Sequence, residues 1–125
     1  MAAGSKSKDM VLLWTNSSPT SAYGASGKTE TLDLSGYDFV YVIARYATSD
    51  DRTTSALVPI NGCKALLLIV TALNNSTAYI NARRFTATST GVEFEAACHR
   101  SMTSTTGASD TGSYVIPTAI YGVRG

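Results

Sequence analysis

Blocks of β-branched and aromatic residues, each the length of one strand and separated by Ser, Thr, Gly and Asn, restrict this chain to a pleated fold. The clearest are Asp38–Tyr46 (DFVYVIARY), Lys64–Thr71 (KALLLIVT) and Tyr114–Val123 (YVIPTAIYGV). Such side chains pack well on a half-buried sheet, and no segment carries the apolar period of a helix. The expectation is an all-β, single-domain antiparallel β-sandwich of jelly-roll type, with about eight strands in residues 10–125. Residues 1–9 read as a flexible arm.

Strand by strand, Met10–Trp14 comes first, then a turn cluster at 15–20 and a Gly- and Ser-rich stretch to Lys28. Thr29–Leu34 reads as a short strand. In the following block Phe39, Tyr41 and Ile43 share one face, and Val40, Val42 and Ala44 the other. A strand apolar on both faces is covered on each side, or meets the core on one and a subunit neighbour on the other. Residues 48–54 read as a hydrophilic loop and Ser55–Ile60 as a strand that Pro59 confines to an edge or bulge. Asn61-Gly62 is a tight-turn pair that joins this strand to Cys63–Leu73 as a hairpin, and Asn74–Ser76 turns the chain again.

A reversal at Ser89-Thr90 sets Phe85 against Phe94 and Ala87 against Val92 on a core face. Thr86 then meets Glu93, and Arg84 meets Glu95, on a solvated one. Ile80 and Ala82 have the wrong parity for that core face. A β-bulge near Arg83, or an upstream half apolar on both sides, is therefore expected. Residues 99–113 read as a long polar loop.

Charged residues make up 15% of the chain and the net charge is +1, so no broad field draws nucleic acid or anionic lipid. Hydroxyls stand in for the missing charge: 15 Ser and 17 Thr. The longest apolar run, Ala65–Val70, is too short for a membrane span, and the polar start does not read as a signal peptide. Cys63 and Cys98 are too few for a zinc cluster. Either a disulfide or two reduced, half-buried thiols fits, with the reduced state favoured.

Reactive chemistry is sparse, and neither catalysis nor a cofactor is expected. His99, the sole histidine, sits next to Cys98, but neighbours in a strand face opposite ways, so it reads as a surface residue at a strand end. Asp50-Asp51 with Ser49, Thr48 and Asp110 supplies oxygens without the spacing of a calcium loop. Tyrosines are more suggestive, because rings beside short polar side chains stack on sugars. Tyr23 and Tyr46 are the exposed candidates. With Asp50, Asp51, Arg52 and Asp110 they form the expected ligand-binding set, on loops 15–28, 48–54 and 99–113.

Four segments in order, Leu12–Ser21, Leu32–Asp38, Arg83–Val92 and Tyr114–Val123, resemble small β-rich domains at the C-terminal ends of tail and minor structural proteins from phages and prophages of Gram-positive bacteria. The resemblance spans nearly the whole chain from Met10. It implies a virion component, made in the host cytoplasm, on a fibre or baseplate among other virion proteins. It also implies a homo-oligomer, with a trimer favoured, that attaches to host surface polysaccharide. A purely architectural capsid or tail subunit is the alternative.

Overall fold

A computed structural model describes residues 9–71, 77–102 and 109–125, with the side chains of Ser109 and Asp110 excepted. Ten strands and no helix occur among them. They are β1 (Met10–Thr15), β2 (Lys28–Thr31), β3 (Phe39–Ala47), β4 (Asp50–Pro59), β5 (Lys64–Thr71), β6 (Tyr79–Thr88), β7 (Gly91–Phe94), β8 (Ala97–Ser101), β9 (Ser109–Thr111) and β10 (Tyr114–Val123). One antiparallel sheet runs β1–β10–β3–β4. The other runs β2–β7–β6–β8–β9, with β5 on the free edge of β6. The first and last strands lie side by side, while hairpins β3–β4 and β6–β7 each stay within one sheet.

Alternation decides the core. Val40, Val42 and Ala44 are fully buried, and they face Leu67, Phe85, Val92 and Phe94 from the other sheet. Phe39, Tyr41 and Ile43 point away from it. The β6–β7 register is the expected one, with Phe85 opposite Phe94, Thr86 opposite Glu93 and Ala87 opposite Val92. Gly91 (φ +151°) is required there: a Cβ would collide with the Glu30 carbonyl oxygen of β2.

Several connections differ from the sequence reading. The 48–54 segment is no loop, because β4 begins at Asp50 and only Thr48-Ser49 turns the chain. A hydrophilic stretch suits a strand that forms the sheet edge and wets one face. Asn61-Gly62 joins β4 to β5 across the two sheets rather than as a paired hairpin, with the Gly62 amide bonded to the Ala87 carbonyl at 3.0 Å. The Thr29–Leu34 block contributes a strand only to Thr31, since Leu32 and Leu34 take their amide bonds from the β6–β7 turn. The 99–113 stretch holds most of β8 and all of β9, which pair antiparallel. The arm at 1–8 and the turn at 74–76 lie outside the described residues; Asp9 is held to the domain by its carbonyl bond from the Arg124 amide.

The expected bulge near Arg83 is absent. β6 keeps unbroken register with β5 from Thr86 to Tyr79, and alternation continues inward through Arg83 and Asn81, both buried. Burial of a guanidinium demands partners for all its donors. Arg83 has five: Nε bonds the Val115 carbonyl (2.8 Å), Nη1 those of Gly24 (3.2 Å) and Glu95 (2.7 Å), and Nη2 those of Tyr23 (2.9 Å) and Tyr114 (3.1 Å). Desolvation lowers its pKa to about 10, so the charge persists at neutral pH. One acceptor, Val115, is a buried β-branched residue at φ +48°, a conformation that costs about 1–3 kcal/mol.

Replacing Arg83 by Met keeps the volume but strips a donor from five carbonyls, of which Gly24 keeps the Gly27 amide, so Arg83→Met should lower unfolding stability by about 3 kcal/mol or more. Arg83→Lys, which keeps the charge with fewer donors, should lose less. Urea midpoints at unchanged slope measure both; a Met variant as stable as the parent contradicts the assignment.

Candidate functional site

The six sequence-nominated residues do not form one site. Tyr23 is buried rather than exposed, at 5% accessibility. Its amide bonds the Gly112 carbonyl, its hydroxyl donates to Glu30 (2.6 Å), and its ring meets Trp14 and Phe94 edge-on. Burial, and then the Glu30 hydrogen bond, push its pKa far up. Tyr23 is core because the loop that carries it folds inward onto Arg83. Asp51 is exposed on β4. The backbone of Asp110 pairs with Cys98, the neighbour of His99 on β8, and its side chain is not described.

Tyr46, Asp50 and Arg52 do come together, at a register shift between β3 and β4. The Arg52 guanidinium lies 4.9 Å from the Tyr46 ring centre and grips the Asp50 carboxylate at 2.8 and 3.1 Å. That grip holds the Asp50 carboxyl below its ordinary range. Sequence reasoning missed the continuation. Tyr46 contacts Tyr114 (5.6 Å), Tyr114 stacks on His99 (3.9 Å), and His99 stacks on Tyr79 (4.9 Å). The row joins both sheets at one end of the sandwich. His99 is therefore enclosed between rings rather than free at the surface. Both of its faces are covered, and Arg52 covers one face of Tyr46. This end is an aromatic cap closed by mutual stacking, its rings half-buried against one another.

Concavity lies elsewhere, on the outer face of the second sheet. A groove of about 570 Å³ is lined by Ser26, Lys28, Thr29, Arg84, Glu93 and Glu95, with backbone between them. A smaller one of about 210 Å³ shares Thr29 and Glu93 and adds Thr86, Thr88 and Thr90. Together they make one polar trough. Register explains it: Glu93 on β7 is opposed directly by Thr29 on β2 and by Thr86 on β6. Glu95 is held by Lys64 (2.6 Å) and Arg84 (3.0 Å), chiefly the Lys64 hydrogen bond lowering its pKa. Glu93 is exposed and has no ion-pair partner among the described residues.

An unpaired carboxylate among hydroxyls, with a guanidinium and an ammonium at one end, offers acceptors and donors to a ligand rich in hydroxyls. The larger groove alone is within the roughly 300–1,000 Å³ of small-ligand sites. Glu93 and Glu95 were legible as a wet face with Arg84. Thr86 opposite Glu93 was legible as well, from the β6–β7 hairpin, whereas Thr29 joined them only through the β2–β7 pairing, which no local pattern announces. Among the described residues of the loops expected to recognise ligand, those of the 15–28 segment alone reach the trough, through Ser26 and Lys28. Both cysteines are free thiols, and Cys63 is exposed rather than half-buried.

Compared with known proteins, the chain matches no family model, no curated protein and no solved structure.

His99 supplies a pH signature for the aromatic cap. Asn81 Nδ2 donates to the Ile69 carbonyl, so Asn81 Oδ1 accepts from His99 Nδ1, which carries the ring proton. Desolvation lowers the imidazole pKa below its ordinary 6.5. On acidification the unfolded chain takes up the proton first, so this stabilisation is whole above pH 6.5 and withdrawn as pH falls toward the folded pKa. The melting temperature should fall between about pH 8 and about pH 5, and His99→Phe should flatten that slope. An equal slope in the variant counts against it.

Proposed function

We propose that this chain is a phage virion structural protein of the tail tip or fibre, and that it attaches to the host by binding surface saccharide in the trough around Glu93. The trough carries the reading: a hydroxyl-lined depression with an unpaired carboxylate fits a polyol better than an apolar or highly charged ligand. Glu93 would accept bonds from neighbouring sugar hydroxyls, while Arg84 and Lys28 donate at the wider end. Such a site lacks ring stacking, so single contacts are weak, and several copies in one assembly gain about 10²–10⁴ in avidity. No step of bond breaking is required, which suits a chain with so few reactive side chains. The resemblance to tail and minor structural proteins supports a virion location and neighbours that are other virion proteins. In the alternative reading, a purely architectural subunit, the trough stays empty.

Binding of host cell-wall polysaccharide to the immobilised protein tests this. Binding is expected, with Glu93→Gln weakening it by about tenfold or more. Tyr46→Ala, at the closed aromatic cap, should leave it unchanged. Silence across host polysaccharides leaves the architectural reading in possession.

A further inference from the structure

The outer surface of the four-stranded sheet is uncharged across three complete rows. Reading over β1, β10, β3 and β4, the middle row is Leu12, Tyr121, Tyr41 and Leu57. The row on one side runs from Met10 to Pro59, and that on the other from Thr15 to Ser55. Three rows of four give twelve positions, where the chain-wide 15% would place about two charges. There are none. Met10, Leu12 and Leu57 are 52%, 50% and 58% exposed, values that belong to side chains standing free of the domain.

We infer that this face is where a second copy of the chain packs, sheet on sheet, in a two-fold pair. Four strands at the usual spacing and six residues of length give a footprint of roughly 400 Å² in plan, and projecting side chains raise the accessible area above that. A specific interface removes roughly 600–1,000 Å² from each partner, so these rows supply the central part of one and their flanking residues the rim. Its chemistry selects the occupant. An apolar surface without charge gains nothing from a charged partner, and the segment before β1, MAAGSKSK, carries two lysines and is a poor cover.

The face also complements itself. A two-fold axis along the strands sets Leu12 of one copy over Leu57 of the other, and Tyr41 over Tyr121. Aliphatic edges then meet aliphatic edges and tyrosines, which are favoured anchors of interfaces, meet at the centre. Because both copies use the same patch, the contact closes at two. This departs from the threefold assembly implied by the resemblance, and it is independent of whether the trough binds saccharide.

Light scattering or sedimentation of the purified full chain over a wide concentration range tests it. The mass should rise from 13.1 kDa to twice that. Leu57→Asp, and separately Leu12→Asp at the opposite edge, should each raise the dissociation constant by roughly 30-fold while the circular dichroism spectrum holds. Leu68→Asp, 45% exposed on the far sheet, should change nothing. A monomer at every concentration, a threefold mass, or a pair that only Leu68→Asp breaks overturns the inference.

Discussion

Arg83 anchors the part of this sandwich where its long-range connections converge. Five N–H groups reach five carbonyls drawn from the Tyr23-Gly24 loop, the β7–β8 connection and the start of β10. Those segments are far apart in sequence, with up to 60 residues between partners. A guanidinium suits this work because its donors fan out in one rigid plane, whereas an ammonium concentrates its donors at one point. The same contacts hold Val115 in its strained backbone. With every donor engaged inside, Arg83 has none to offer a ligand, and its role is structural.

The positions of both surfaces follow from this. Because the Tyr23-Gly24 loop is drawn inward, Lys28 starts β2 beside β7, and Thr29 comes to stand opposite Glu93. The trough is a product of that pairing. On the opposite side, the first sheet is bent by bulges after Leu12, at Thr118 and near Tyr46, yet it presents three regular rows outward. One face thus carries the hydroxyl-lined trough beside an apolar edge of Leu66, Leu68 and Val70 on β5, while the other is uncharged across its three rows. A two-layer fold separates two such tasks without either disturbing the core.

Much of the fold was legible where the governing interactions are local. The β6–β7 hairpin could be registered residue by residue, because a two-residue reversal and alternating polarity leave little freedom. The outward face of β3 was legible for the same reason. The candidate ligand residues fared worse. Tyr23 has the sequence surroundings of an exposed ring, with Gly and Ser about it, yet those small residues are what let the loop fold down onto the core. Asp50 and Arg52 read as loop residues because an edge strand with one wet face has the composition of a loop. His99 looked peripheral because neither Tyr79 nor Tyr114 is near it in sequence.

Alternation of side chains along each strand, and turns built from small polar residues, follow from the order of amino acids alone, since both depend on backbone geometry within a few positions. Which polar groups turn inward was decided only by the tertiary structure. Arg83 and Asn81 break the apolar pattern of β6, and their burial is tolerable solely because carbonyls and an imidazole from distant strands arrive to meet them. The two outer surfaces share that origin in part: hairpins align half of each row, but Thr29 reaches Glu93 through β2–β7, and Leu12 and Tyr121 reach Tyr41 through β1–β10–β3, pairings that are long-range.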